Sequence, residues 1–269
     1  MKNILVGVDG DSGREGRLQA GLDLARAFGG HVSCVQATPP AAYISTDMFG
    51  GAFVIPDIIE AVQKHIDVVR TSVETQLAKE DVSWDFVHCD ATSATAIIAR
   101  GRLADIIVLT RQQWGKAPND ALTLVGEVAL HSRAPVLAVP ENAKGFNVGG
   151  KMVVLWNGSF EAANALRSAL PLLAKASNVE ILCIEEEPSD FPATAVCEYL
   201  SRHGIKADLQ TPRPGLEGVA NTLLSAVRRM EPSCVVMGAY GHSRVREYLV
   251  GGVTRQMLGE CPVPLLLAH

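Results

Sequence analysis

A pattern that opens this chain opens it a second time, and no other feature narrows the possible folds so far. Lys151-Met152-Val153-Val154-Leu155-Trp156-Asn157-Gly158-Ser159 matches Lys2 to Asp11 strand for strand and turn for turn, with Asn157-Gly158 in the place of Asp9-Gly10. Val179 to Ile184 answers the segment around Cys34, Cys234 to Met237 answers Ile106 to Leu109, and Pro262 to Leu267 answers the run after Pro135. The interval is far longer than a solenoid period, so each copy is long enough to be a domain with its own core. The expected division is residues 1–143 and 150–269, with Gly145-Phe146-Asn147-Val148-Gly149-Gly150 as a linker.

Within each copy strands and helices alternate. Ile4 to Val8, Asp105 to Thr110 and Pro135 to Val139 are apolar runs without polar alternation, which suits parallel strands covered on both faces. Leu18, Leu22, Leu24 and Ala25 recur at helical spacing up to Gly29-Gly30, a helix stop. Ile59, Val62, Ile66 and Val69 mark a long amphipathic helix over 58–77, and shorter helices are expected near 95–100 and 119–131. Between the second strand and that long helix, Thr38 to Pro56 reads as a loop: a lid, a partner surface or a disordered insertion. The second copy places helices at about 160–173, 191–203 and 216–230 and a strand at Ile205 to Leu209, with Ser159 as an N-cap and Pro171 as a kink. Five alternations per copy call for a mostly parallel α/β sheet.

One stretch carries recognisable chemistry. An apolar strand ends at Gly238, Gly241 follows, nine residues intervene, and Gly251-Gly252-Val253-Thr254 opens a helix. Glycines let backbone approach an anion closely, and free N–H groups at a helix start attract negative charge. Such loops also serve as ordinary turns. His242 within the loop reads as a solvated histidine.

Composition removes several alternatives. A net charge of −5 at pH 7 lacks the basic footprint of a nucleic-acid binder. No window holds about 18 uninterrupted apolar residues, and Met1 leads straight into a strand without a signal-peptide core, so no membrane partner and a cytoplasmic location are expected. Six singly placed cysteines fit reduced, mostly buried thiols, and His88-Cys89 has no second pair at zinc-ligand spacing, so no metal site is expected.

The strand-end Asp/Asn-Gly, the G-x2-G-x9-G spacing and the closing Pro262-Val263-Pro264-Leu265-Leu266 strand together resemble a tandem universal stress protein, across essentially the whole chain. The resemblance implies two Rossmann-like domains, each an open five-stranded parallel sheet of order 3-2-1-4-5 flanked by helices. It implies that the two halves pair through their last strands about a pseudo-two-fold axis. A ligand then sits where the sheet order reverses. By resemblance, ATP or a related AMP or ADP would place its adenosine near Asn157 and Ile184, and its phosphates over Gly238, Gly241, Gly251, Gly252 and Val253. Thr254 would offer a hydroxyl to a terminal phosphate or its Mg²⁺.

Two departures stand out. The strand-end Asp of the family is Asn157 here, which loses a charge and gains a donor, and the hydroxyl residue after the third motif glycine is Gly252. The first copy keeps Asp9 but reads Thr110-Arg111-Gln112-Gln113-Trp114-Gly115-Lys116 where the glycines belong. It is expected not to take ATP in the family manner, with Arg111 and Lys116 as solvated cations or holders of another anion. The leading expectation is a stress-response binding module or sensor with a C-terminal nucleotide site. A slow Mg-dependent ATP hydrolase and a nucleotide-independent interaction protein stay open, as does further pairing of chains into a homodimer.

Overall fold

The computed structural model describes residues 1–46, 52–53, 56–111, 123–184, 191–213, 215–241 and 252–269. In chain order the first half contributes β1 (Asn3–Gly7), α1 (Arg14–Phe28), β2 (His31–Ala37), β3 (Ser45–Thr46), β4 (Ala52–Phe53), α2 (Pro56–Leu77), β5 (Ser83–Cys89), α3 (Ser93–Arg100), β6 (Ile106–Arg111), α4 (Leu124–His131) and β7 (Val136–Pro140). The second half contributes β8 (Met152–Trp156), α5 (Phe160–Leu173), β9 (Val179–Cys183), α6 (Thr194–Arg202), β10 (Asp208–Gln210), α7 (Val219–Met230), β11 (Cys234–Gly238), α8 (Gly252–Glu260) and β12 (Leu265–Ala268).

The unalternating apolar runs become the middle of a single ten-stranded sheet, ordered β10-β9-β8-β11-β12-β7-β6-β1-β2-β5. Each half is parallel and follows the 3-2-1-4-5 order, and the halves join where β12 runs antiparallel to β7, with Leu266 opposite Leu137. Alternate residues of these two strands feed opposite faces. Leu137 and Leu266 enter the core beneath α1, α2, α5 and α6, while Val136, Ala138, Leu265 and Leu267 enter the one beneath α3, α4, α7 and α8. Both cores therefore run through both halves. Each of the fully buried Leu and Val side chains at this seam contributes about 1.5–3 kcal/mol by leaving water, so the joint is as apolar as a domain interior.

The structure refines three expectations. The expected linker is a packed strap: Phe146 and Val148 are buried, the Phe146 N–H donates to Asp23 Oδ2 at 2.8 Å, and the Ala143 carbonyl lies 2.0 Å from where a side chain on Gly16 would begin. Among its described residues, the loop after β2 holds a helical turn at Pro40–Tyr43 and a small ladder pairing Ser45 with Phe53 and Thr46 with Ala52. The strand expected at Ile205–Leu209 is reduced to Asp208–Gln210, because Gly204 turns left-handed at φ 74° and Ile205 dives into the core instead of joining the ladder. Pro171 is accommodated within the last turn of α5. The start of the helix expected at 119 lies outside the described residues, within which α4 begins at Leu124.

Candidate functional site

The order reverses between β8 and β11 in the second half and between β1 and β6 in the first, and a crevice opens at the carboxyl ends of each pair. Register makes the two crevices comparable residue by residue. Ile4 pairs with Ile106 as Met152 pairs with Cys234, so Asp9 stands where Asn157 stands, Thr110 where Gly238 stands and Arg111 where Ala239 stands.

In the second half, topology brings most of the expected residues to one edge. Asn157 follows β8, Ile184 follows β9, Gly238 ends β11, Gly241 lies just beyond it, and Gly252, Val253 and Thr254 form the first turn of α8. Gly251 and His242 lie outside the described residues. The individual roles differ from one another. Asn157 is exposed and its Oδ1 accepts the Ser159 N–H at 3.2 Å, closing the turn in which Gly158 takes φ 77°; Ser159 Oγ then caps α5 by accepting from Ala162 N at 3.1 Å. Ile184 is half-buried against the core.

Gly238 owes its identity to packing. A Cβ there would sit 2.5 Å from Ala162 N and 2.6 Å from the Glu161 carbonyl carbon, so the first turn of α5 can cross the strand end only over glycine. Glu161, in that same first turn, is 4% exposed, and its Oε2 lies 3.2 Å from where a Gly241 side chain would start. A carboxylate in the first turn faces the positive end of the α5 dipole.

Gly252 is exposed, and no atom of the described residues lies within 4 Å of its missing Cβ. Thr254 is buried, only 8% exposed, and no partner of its hydroxyl falls among the described residues. Between Gly238 and Gly241, Tyr240 holds a left-handed backbone at φ 59° with its ring buried; burial pushes its hydroxyl up to about 12. Such a backbone at a non-glycine residue costs roughly 1 kcal/mol or more and marks a turn that the surrounding packing enforces. The sequence pattern gave no signal for Tyr240.

The first-half crevice is filled by its own side chains. Arg17 of α1, 4% exposed, donates to the Gly7 carbonyl, to Thr110 Oγ1 at 2.7 Å and to Asp11 Oδ2 at 2.7 Å, spanning the gap between β1 and β6. Thr110 packs against Gly13, where an added Cβ would meet the threonine methyl at 2.4 Å. Asp9 accepts from Ala37 N at 3.0 Å and from Ser93 Oγ at 2.7 Å, so both its oxygens are engaged. The helix after the loop caps itself: Thr123 accepts from Gly126 N at 3.3 Å. The corresponding residue before α8 is Gly251, which has no side chain to cap with. Trp114, Gly115 and Lys116 lie outside the described residues.

Arg111 overturns the expectation of a solvated cation. It is buried, and its guanidinium crosses into the second half to donate to the carbonyls of Leu258, at 2.7 Å, and Cys261. Burial pulls its pKa down from the ordinary arginine value. Cys34, Cys183, Cys234 and Cys261 are buried, and burial pushes Cys34 and Cys234 up to about 12. Among the described residues no helix is long and apolar enough to cross a membrane.

Comparison with known proteins agrees with this architecture. A universal stress protein of Synechocystis sp. is 22% identical, with 99% of each chain covered. A universal stress protein of Archaeoglobus fulgidus superposes with a TM-score of 0.72 at 14% identity, covering 99% of this chain and 96% of its own. A functionally unknown protein from Pseudomonas aeruginosa gives 0.59 at 15% identity, over 100% of this chain and 92% of its own. These structural likenesses establish the shared two-half fold. The model of the Universal stress protein family matches residues 1–140, more than half of the 269-residue sequence, and the chain belongs to that family.

Proposed function

We propose that the chain is a binding module for an adenine nucleotide, ATP or a related AMP or ADP, held once per chain in the second-half crevice, and that it serves a stress response as a sensor. The observation that carries this reading is the contrast between two helix starts. α4 has a capping side chain, Thr123, which accepts the Gly126 N–H, whereas α8 is entered in sequence through Gly251-Gly252, at the same edge as the end of β11. A helix start without a capping side chain has N–H groups to offer an anion. Phosphates would lie over Gly238 to Gly241 and against Gly252, Val253 and Thr254, with the adenosine toward Asn157 and Ile184. The Asn157 amide still has its NH₂ group to donate, while its oxygen is engaged in the turn. The first half serves as the structural partner of this site.

Equilibrium titration of the full chain with Mg-ATP, ADP and AMP tests the reading, with one site per chain expected. No heat and no thermal shift up to millimolar nucleotide would sink it. Two sites per chain would refute the assignment of the first half. Single-turnover phosphate release from bound ATP separates a module from a hydrolase.

A further inference from the structure

We propose that Arg111 is a positioning residue for α8: the first half holds this helix by its carbonyl end and thereby keeps its amino end, Gly252 to Thr254, aimed at the crevice between β8 and β11. The inference rests on the nucleotide reading for its effect on ligand, and on geometry alone for the clamp itself.

α8 has nine residues, too few to persist without tertiary contacts. Its carbonyl end carries the orphan acceptors that any helix leaves there. Arg111 fills that need from 147 and 150 residues away, donating to Leu258 O and Cys261 O. The guanidinium is buried and its Nε has no acceptor among the described residues, so two oriented carbonyl bonds are what the burial of this charge secures. A cation at a helix carbonyl end also favours the helix dipole.

At the amino end, no atom of the described residues lies within 4 Å of a side chain built on Gly252. Gln256 Nε2 donating to Asn221 Oδ1 at 2.7 Å ties the middle of α8 to α7. The arrangement is one-sided, because the counterpart of Arg111 in the second half is Ala239, which carries no donor on its side chain. A residue at the end of β6, beside the first-half crevice, therefore serves the crevice of the second half. By linkage, a ligand that prefers the seated helix must in turn strengthen the hold of Arg111 on it.

The test uses the full chain with Arg111→Met, which keeps an extended apolar stem, and Arg111→Lys, which keeps the charge but not the forked donors. Amide exchange across α8 is expected to rise by about tenfold in Arg111→Met, with the β7 and β12 seam unchanged and Arg111→Lys in between. ATP affinity falls by about tenfold while adenosine, which lacks phosphates, binds as before. Unchanged exchange in α8, or an equal rise through β12, overturns the clamp. Equal loss for ATP and adenosine overturns the positioning role. If the unaltered protein takes up no nucleotide, the binding reading falls and the exchange result still decides the clamp.

Discussion

The two crevices stand at the same edge of the sheet and in matching register, yet side chains of modest size make their walls different. At the end of the fourth strand of each half, threonine faces glycine in one and glycine faces glutamate in the other: Thr110 against Gly13, and Gly238 against Glu161. Arg17 then occupies the first gap with bonds to both walls. The lesson is that the walls of the two halves differ through side chains, with no change in topology. A buried arginine supplied with two backbone carbonyls, a hydroxyl and a carboxylate satisfies the crevice from within.

The comparison breaks most visibly if the first half's threonine is transplanted. Gly238→Thr would drive a side chain into backbone atoms of α5 that cannot move independently, and about 3 kcal/mol of stability should be lost along with nucleotide binding. Chemical denaturation and titration measure the two. A stable protein with intact affinity would mean that the α5 crossing does not demand glycine.

Arg17→Ala removes the plug and leaves Thr110 and the Gly7 carbonyl without their donor. A loss of about 2 kcal/mol is expected, with no change in nucleotide stoichiometry, because Thr123 still caps α4. A second bound nucleotide would show that the plug alone closes the first half.

The smallest effects concern the two helix starts. Thr123→Ala should cost about 1 kcal/mol through the lost cap. Gly252→Ser, with no described atom against its Cβ, should gain a few tenths of a kcal/mol from reduced backbone freedom and add a hydroxyl for phosphate, tightening ATP more than adenosine. Thermal unfolding and paired titrations read both. Weaker ATP binding in Gly252→Ser would argue against phosphate at this turn.

Much of the fold was legible because it is written in local and repeated patterns. Apolar runs such as Ile106 to Leu109 and Val235 to Met237 name buried parallel strands, and their recurrence names two copies. The cradle glycines were legible too, although their spacing did not separate Gly238, which is demanded by helix packing, from Gly252, which meets no described residue. Tyr240 escaped notice because its backbone angle is imposed by the turn and leaves no mark in composition. The strap at Phe146 and Val148 looked like a linker because its glycines outweigh its two apolar residues until the core that receives them is known.

From the sequence alone came the tandem architecture, the parallel sheet of each half and the contrast between a glycine loop and one without glycines at the matching positions. Periodicity and turn chemistry are properties of neighbours along the chain, so they can be read there. Only the tertiary structure decided what closes the first crevice and what holds the helix of the second. Arg17 meets Thr110 from 93 residues away and Arg111 meets Leu258 from 147. Charges of this kind read as solvated in any local window, and it is the surrounding strands and helices that desolvate them and fix their partners.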